Sequence, residues 1–67
     1  MAVVKVIEIL AESEKGWEDA TKVAVEEAKK TVHDIKSVYV KEFQAIVEND
    51  EIARYRVNVK ISFVVKN

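Results

Sequence analysis

The sequence predicts an α+β fold with the order β-α-β-β, in which a three-stranded antiparallel sheet wraps around one helix. Three patterns support this prediction. Apolar and polar residues alternate over residues 54–65, apolar residues recur every three or four positions over residues 14–32, and a polar connection at 48–51 separates two strand patterns. A chain of 67 residues allows one domain, so residues 1–67 are expected to form a single domain.

The first predicted strand covers residues 2–11, AVVKVIEILA. Lys5 and Glu8 fall on opposite faces, so neither face of this strand is wholly polar. Such a strand is either central in a two-layer fold or buried by a neighbouring subunit. Because the chain has only one helix to cover it, we expect the second arrangement.

The predicted helix runs from about residue 14 to residue 32. The Ser13 hydroxyl is placed to cap its first turn, where the Glu14 carboxylate also suits the positive end of the helix. The apolar stripe of this helix consists mostly of alanine, which lets a helix lie close to a sheet. Its members are Trp17, Ala20, Ala24, Ala28, Val32 and Ile35.

The second predicted strand covers residues 35–47, and its apolar alternation changes parity near residues 41–43. Such a change indicates a β-bulge, or a strand whose surroundings change midway. The following residues 48–51 include Asn49 and Asp50, which tolerate turn geometry, so we predict a β-hairpin there.

The last predicted strand, residues 54–65, has one apolar and one polar face. The odd-numbered residues form the apolar face, so Tyr55 and Phe63 are expected to belong to the core. The polar face carries Arg54, Arg56, Asn58, Lys60 and Ser62.

Composition restricts the class of protein. There is no cysteine and His33 is the single histidine, which excludes disulfides and a multi-histidine metal site within one chain. Hydrophobic residues make up 49% of a chain too short to bury them all, which favours oligomerisation. The net charge of −1 argues against general affinity for nucleic acid or membrane surfaces. Without a transmembrane or signal-peptide pattern, the expected location is the cytoplasm.

Two groups of residues could carry chemistry outside the sheet. His33 beside Asp34 could act as a base with an orienting carboxylate in a small enzyme, although a cation at a helix end is the commoner arrangement. Carboxylates near the helix start could bind a metal if several oxygens converged, which copies around a symmetry axis could achieve. These carboxylates belong to Glu12, Glu14, Glu18 and Asp19.

The polar face of the hairpin is the stronger candidate for a ligand site. Tyrosine and arginine side chains suit planar or anionic ligands, whereas a solvated sheet face is the common alternative. Spacing alone leaves both interpretations open. The residues expected to share this face are Ser37, Tyr39, Lys41, Arg56, Asn58 and Lys60.

The whole chain resembles the dodecin family. Each matching motif is short, but they occur in order and without a gap. They are KVIEI at 5–9, Ser13 followed by WEDA at 17–20, Ala24 and Ala28 in the helix, VKE at 40–42, and YRVNVKISF at 55–63.

The resemblance implies a particular assembly and activity. Twelve copies of a dodecin form a hollow sphere with cubic symmetry, which would cover the exposed apolar faces. Flavin-binding members stack pairs of isoalloxazine rings between tryptophans and hold the ring edge with a glutamine. They store or scavenge flavin, so the resemblance implies a binding protein and not an enzyme.

This sequence departs from the flavin-binding pattern at several positions. The stacking tryptophan falls on Ser37, the ring-edge glutamine on Arg56, and a frequent arginine on Gln44, whereas Glu42 matches the usual acidic residue. Trp17 matches a helix position of the family and is expected to pack in the core.

We therefore expect a cytoplasmic homododecamer that binds riboflavin, FMN or FAD more weakly than members with the tryptophan. An arginine after Tyr55 combined with no tryptophan in the second strand resembles a calcium-binding branch of the family. The alternatives are thus a flavin-free member that binds a divalent metal such as calcium, or a structural shell; the metal-ligating residues are left open. The expected flavin site consists of Ser37, Tyr39, Glu42, Gln44, Arg56 and Asn58.

Overall fold

A computed structural model describes residues 3–65 and has the predicted order of elements. Strand β1 spans Val3–Ser13, helix α1 spans Trp17–Ala28, strand β2 spans Ile35–Glu48 and strand β3 spans Glu51–Val65. The predicted α+β class with one helix and a three-stranded antiparallel sheet is confirmed. Ala2, the predicted start of the first strand, lies outside the described residues.

Strand β3 is the centre of the sheet, whose strand order is β1-β3-β2. It pairs antiparallel with β2 on one side and with β1 on the other. The alternative of a central position for β1, which we did not favour, is excluded because β1 is an edge strand. Whether a neighbouring subunit covers β1 stays a prediction.

The hairpin between β2 and β3 has the predicted tight turn. Asn49 and Asp50 have φ values of 53° and 64°, and Glu48 pairs with Glu51 on either side of them. Two successive left-handed residues give a turn whose twist matches that of the strands. The predicted bulge is also present, since the register shifts between Val40 and Glu42.

The core lies between α1 and one face of the sheet. Ala20 and Ala24 have no exposed surface, which confirms that the alanine stripe lies against the strands. Side chains this small let the helix backbone approach the sheet closely. The fully buried larger side chains all come from β3: Val57, Val59 and Ile61.

The helix is shorter than predicted at both ends. It begins at Trp17 because Gly16, with φ of 148°, holds the preceding backbone outside the helical region. Ser13 is the last residue of β1 and makes no capping hydrogen bond, so the predicted cap is wrong. Instead, the Lys15 N–H donates to the Ser13 hydroxyl at 2.9 Å, and that hydroxyl donates to Asp19 at 2.6 Å.

Trp17 does not lie in the core as predicted, because 39% of its surface is exposed. Its Nε1 donates a hydrogen bond to the Gln44 carbonyl oxygen at 2.9 Å. Its ring centroid lies 5.0 Å from that of Tyr55 and 5.6 Å from that of Phe43. As the first residue of α1, Trp17 covers the hairpin at the helix end, where no further turn of helix encloses it.

The sheet is much longer than the helix that covers it. The chain extends over 51 Å, whereas twelve helical residues span only about 18 Å. Large apolar side chains of the strands are consequently exposed: Val3, Val4, Val6, Leu10, Tyr39, Phe43, Val47 and Ile52. Trp17 and Val23 are exposed on α1. Within residues 3–65, no helix has the length and apolar character needed to cross a membrane.

Candidate functional site

The six predicted site residues lie on one face of the sheet. We call the face opposite α1 the outer face. Cross-strand partners point to the same side of a sheet, and the partners of the polar β3 residues therefore share this face. The pairs between β2 and β3 are Ser37 with Ser62, Tyr39 with Lys60, Glu42 with Asn58, and Gln44 with Arg56. Strand β1 adds Glu8 opposite Lys60 and Glu12 opposite Arg56.

The bulge in β2 decides which side chains meet on the outer face. Lys41 has no cross-strand partner, because the register passes from Val40 directly to Glu42. This extra residue brings Glu42 onto the same face as Tyr39. The Lys41 amino group reaches the carboxylate of Glu8 on the other edge strand at 3.9 Å.

No large aromatic ring occupies the position where the resemblance places the stacking tryptophan. The Ser37 hydroxyl instead forms a hydrogen bond with the Ser62 hydroxyl, with 2.5 Å between the oxygens. Tyr39 is the aromatic residue of the predicted site, and 64% of its surface is exposed. Trp17 packs against the opposite face of the sheet, so its indole cannot replace the missing ring.

Glu42 is the carboxylate of the predicted site, and within the described residues it has no hydrogen-bond or ion-pair partner. Its side chain is exposed. The amide side chain of Asn58 lies directly opposite, and Gln44 follows two positions along β2. These three side chains offer carboxylate and amide oxygens, which are the donors that hard cations prefer.

Sequence reasoning missed the strongest polar contacts on the outer face. Arg54 Nε donates to Glu12 Oε1 at 3.0 Å, and Arg56 Nε donates to Glu12 Oε2 at 2.7 Å. Arg56 Nη2 lies 2.6 Å from the same Oε2 atom, and Arg54 Nη2 also donates to Glu48 Oε2 at 3.3 Å. The alternation of β1 could have placed Glu12 on this face only if its register with β3 had been known.

These contacts change the titration of the groups involved. The hydrogen bond from Arg56 is the main cause that lowers the pKa of Glu12, and the Arg54 guanidinium lowers it further. The negative charge of Glu48, together with the hydrogen bond to Glu12, raises the pKa of Arg54. Glu12 is therefore a carboxylate held in its ionised form.

The predicted acidic cluster at the helix start does not form a metal site within the described part of the chain. No group of three or more acidic or histidine side chains converges anywhere in residues 3–65. Glu12 accepts from two arginines, and Asp19 accepts from Ser13. A cation at this place would need further oxygen ligands, from neighbouring copies of the chain or from bound water.

His33 and Asp34 lie in the connection between α1 and β2, away from the outer face. They line an open groove of about 380 Å³ together with Thr31, Val32 and the end of β3. Asp34 has φ of 59°, and its carbonyl oxygen accepts a hydrogen bond from the Val64 N–H at 3.1 Å. The Asp34 backbone thus joins the loop to β3.

Comparison with known proteins relates the chain to one family. The profile of the dodecin family matches residues 3–66. The calcium dodecin of Mycobacterium tuberculosis is 36% identical over 63 residues, covering 94% of this chain and 89% of that protein. Its crystal structure, which has a calcium-binding site, aligns with a TM-score of 0.84 at 34% identity and covers 96% of this chain and 91% of that one. A mutant of the Thermus thermophilus dodecin aligns over 100% of both chains with a TM-score of 0.94 at 27% identity.

Proposed function

This chain belongs to the dodecin family, and on that premise we propose that it is a noncatalytic binding protein whose outer face takes a divalent cation such as Ca²⁺. The observation that carries the proposal is the uncommitted carboxylate of Glu42 beside the amides of Gln44 and Asn58. The similarity to a calcium dodecin supports the same ligand.

The oxygen atoms of these side chains are of the type that calcium prefers, but there are too few of them to complete its coordination. Calcium takes about six to eight oxygen ligands, and residues 3–65 of one chain contain no group of three or more acidic or histidine side chains that could hold it. A complete site therefore requires side chains from neighbouring copies or bound water. The Glu42 carboxylate and the amide oxygens of Gln44 and Asn58 would hold the cation, which would supply a positive charge on the outer face.

We infer that these copies belong to a homododecamer. The exposed apolar residues of β1 support self-association, since Val4, Val6 and Leu10 are each more than half exposed on the outer face. Static light scattering would test this assembly, and a monomeric or dimeric mass would reject it.

The first experiment is a calcium titration by calorimetry on the assembled, metal-free protein. We expect heat of binding from the unmodified protein, a loss of most of it in Glu42→Gln, and retention in Glu18→Gln, which removes the same charge from the exposed side of α1. Melting temperature measured with and without a chelator gives a second readout. Binding that is unaffected by Glu42→Gln would reject the proposed ligand.

A second candidate function is weak flavin binding, which the exposed ring of Tyr39 on the outer face supports. Tyr39 can offer one stacking surface, and Gln44 can form hydrogen bonds with the ring edge. We expect riboflavin fluorescence to be quenched weakly by the unmodified protein and more strongly by Ser37→Trp, which restores the stacking ring. Equal quenching by the two proteins would exclude a flavin site at Ser37.

A further inference from the structure

We propose that Arg54 and Arg56 form an anion-binding site on the outer face, and that the carboxylate of Glu12 occupies this site. The ligands that the site would otherwise take are phosphate groups and carboxylates. Because Glu12 occupies the anion site, ligands that carry phosphate or carboxylate groups bind the outer face more weakly. This inference does not rest on calcium or flavin being bound.

The geometry of the two guanidinium groups supports an anion site. Arg54 and Arg56 occupy alternate positions of β3, so their side chains leave the same face about 7 Å apart. Two like charges at this separation repel each other unless an anion lies between them. Each oxygen of the Glu12 carboxylate accepts from a different arginine, at 3.0 Å from Arg54 and 2.7 Å from Arg56.

Glu12 has more and closer cationic partners than Glu8, the other acidic residue of β1 on the outer face. Glu8 has one partner, the Lys41 amino group at 3.9 Å, and about half of its side chain is exposed. Glu12 has two partners at hydrogen-bonding distance, and only 34% of its side chain is exposed. The lowered pKa of Glu12 agrees with a carboxylate that is held by both cations.

The consequence for ligand choice follows from charge. A phosphate that approaches the outer face meets two guanidinium groups that are already paired with Glu12. The Glu12 carboxylate offsets their positive charge and accepts hydrogen bonds from their N–H donors. Because Glu12 is part of the same chain, it is always present at the site, and a free anion must displace it. With Glu12 removed, Arg56 loses its carboxylate partner and Arg54 keeps only the contact of its Nη2 with Glu48 at 3.3 Å, so the N–H donors that Glu12 occupied can turn toward the incoming anion, as in arginine-rich phosphate sites.

The test is a titration with inorganic phosphate, followed by ³¹P line broadening, on the assembled protein. We expect Glu12→Gln to bind phosphate at least about ten-fold more tightly than the unmodified protein, since a hydrogen bond to a charged group contributes a decade or more of affinity. Glu8→Gln is the matched control, because it removes the same charge from the same face of the same strand. We expect it to behave like the unmodified protein.

Each other outcome overturns the proposal. Equal gains in Glu12→Gln and Glu8→Gln would show an effect of net charge alone, and no gain in a folded, assembled Glu12→Gln would show that the arginines form no anion site. If Glu12→Gln does not fold, Glu12→Asp keeps the charge but shortens its reach, and we expect an intermediate gain. Failure of both variants to fold, or no gain in Glu12→Asp, would mean that the cluster is only structural.

Discussion

Glu12 on the edge strand β1 and Arg56 on the central strand β3 are joined by two contacts of 2.7 and 2.6 Å to one carboxylate oxygen. The same carboxylate reaches Arg54, which in turn contacts Glu48 at the end of β2. One chain of ion pairs therefore crosses all three strands. It connects these side chains on the outer face, which the helix does not cover.

This cluster predicts how stability depends on pH. Because the pKa of Glu12 is lower in the folded protein than in the unfolded chain, its ionised form stabilises the fold. That contribution is fully present at neutral pH and is lost as the pH falls through the folded-state pKa. We expect urea unfolding to separate the unmodified protein from Glu12→Gln at neutral pH. The two midpoints should converge once the pH has fallen below the lowered pKa of Glu12, and a constant difference would contradict the prediction.

The central strand predicts a large effect of core truncation. Ile61 has no exposed surface, so Ile61→Ala should lower the free energy of unfolding by about 2–5 kcal/mol. Ile52 is the matched control, because it is an isoleucine on the same strand with 56% of its surface exposed. Ile52→Ala should cost much less in urea unfolding at the same protein concentration. Similar losses in the two variants would contradict the assignment of the core.

The alanine stripe of α1 predicts that a larger side chain there destabilises the fold by overpacking the core. Ala24 faces β3 with no exposed surface, so the larger side chain of Ala24→Leu must push α1 away from the sheet. We expect a loss of about 1–3 kcal/mol in the free energy of unfolding. Val23→Leu enlarges an exposed neighbour on the same helix and should change stability by less than about 0.5 kcal/mol. Thermal and urea unfolding would both report the difference.

The backbone conformation of the hairpin turn predicts which substitutions at Asp50 lower stability. Asp50 has φ of 64°, a region that β-branched residues strongly disfavour, so Asp50→Val should lower the free energy of unfolding by about 1–2 kcal/mol. Asp50→Gly adopts this conformation without strain and should be tolerated. Glu51→Val is the control, because Glu51 lies within β3, where valine is favoured. Equal effects at positions 50 and 51 would contradict this account.

Local patterns explain why much of the fold could be predicted. The alternation over residues 54–65 identified the central strand, and the parity change near residue 41 identified the bulge. The helix ends could not be predicted as well, because the conformation of Gly16 and the contacts of Ser13 depend on how β1 ends. Trp17 was misplaced for the same reason: a helix starting at residue 14 would have enclosed it.

The candidate site could be predicted only in part. The alternation assigned Ser37, Tyr39 and Lys41 of β2 to one polar face, and only the resemblance added Glu42 and Gln44. The register places Ser37, Tyr39, Glu42 and Gln44 on that face, whereas Lys41 has no cross-strand partner. Their role in ligand binding stays a prediction. The role of Glu12 was missed, because a residue in an acidic stretch before a helix gave no sign of its arginine partners.

By itself, the sequence determined the order of the elements, the apolar and polar faces of β3 and the tight turn of the hairpin. These features depend on residues that are neighbours along the chain, where side-chain period and turn chemistry act directly. The tertiary structure alone decided that β3 lies between β1 and β2 and that Glu12 meets Arg54 and Arg56. Those contacts join residues 42 and 44 positions apart, so they depend on how β1 pairs with β3 and not on neighbours along the chain.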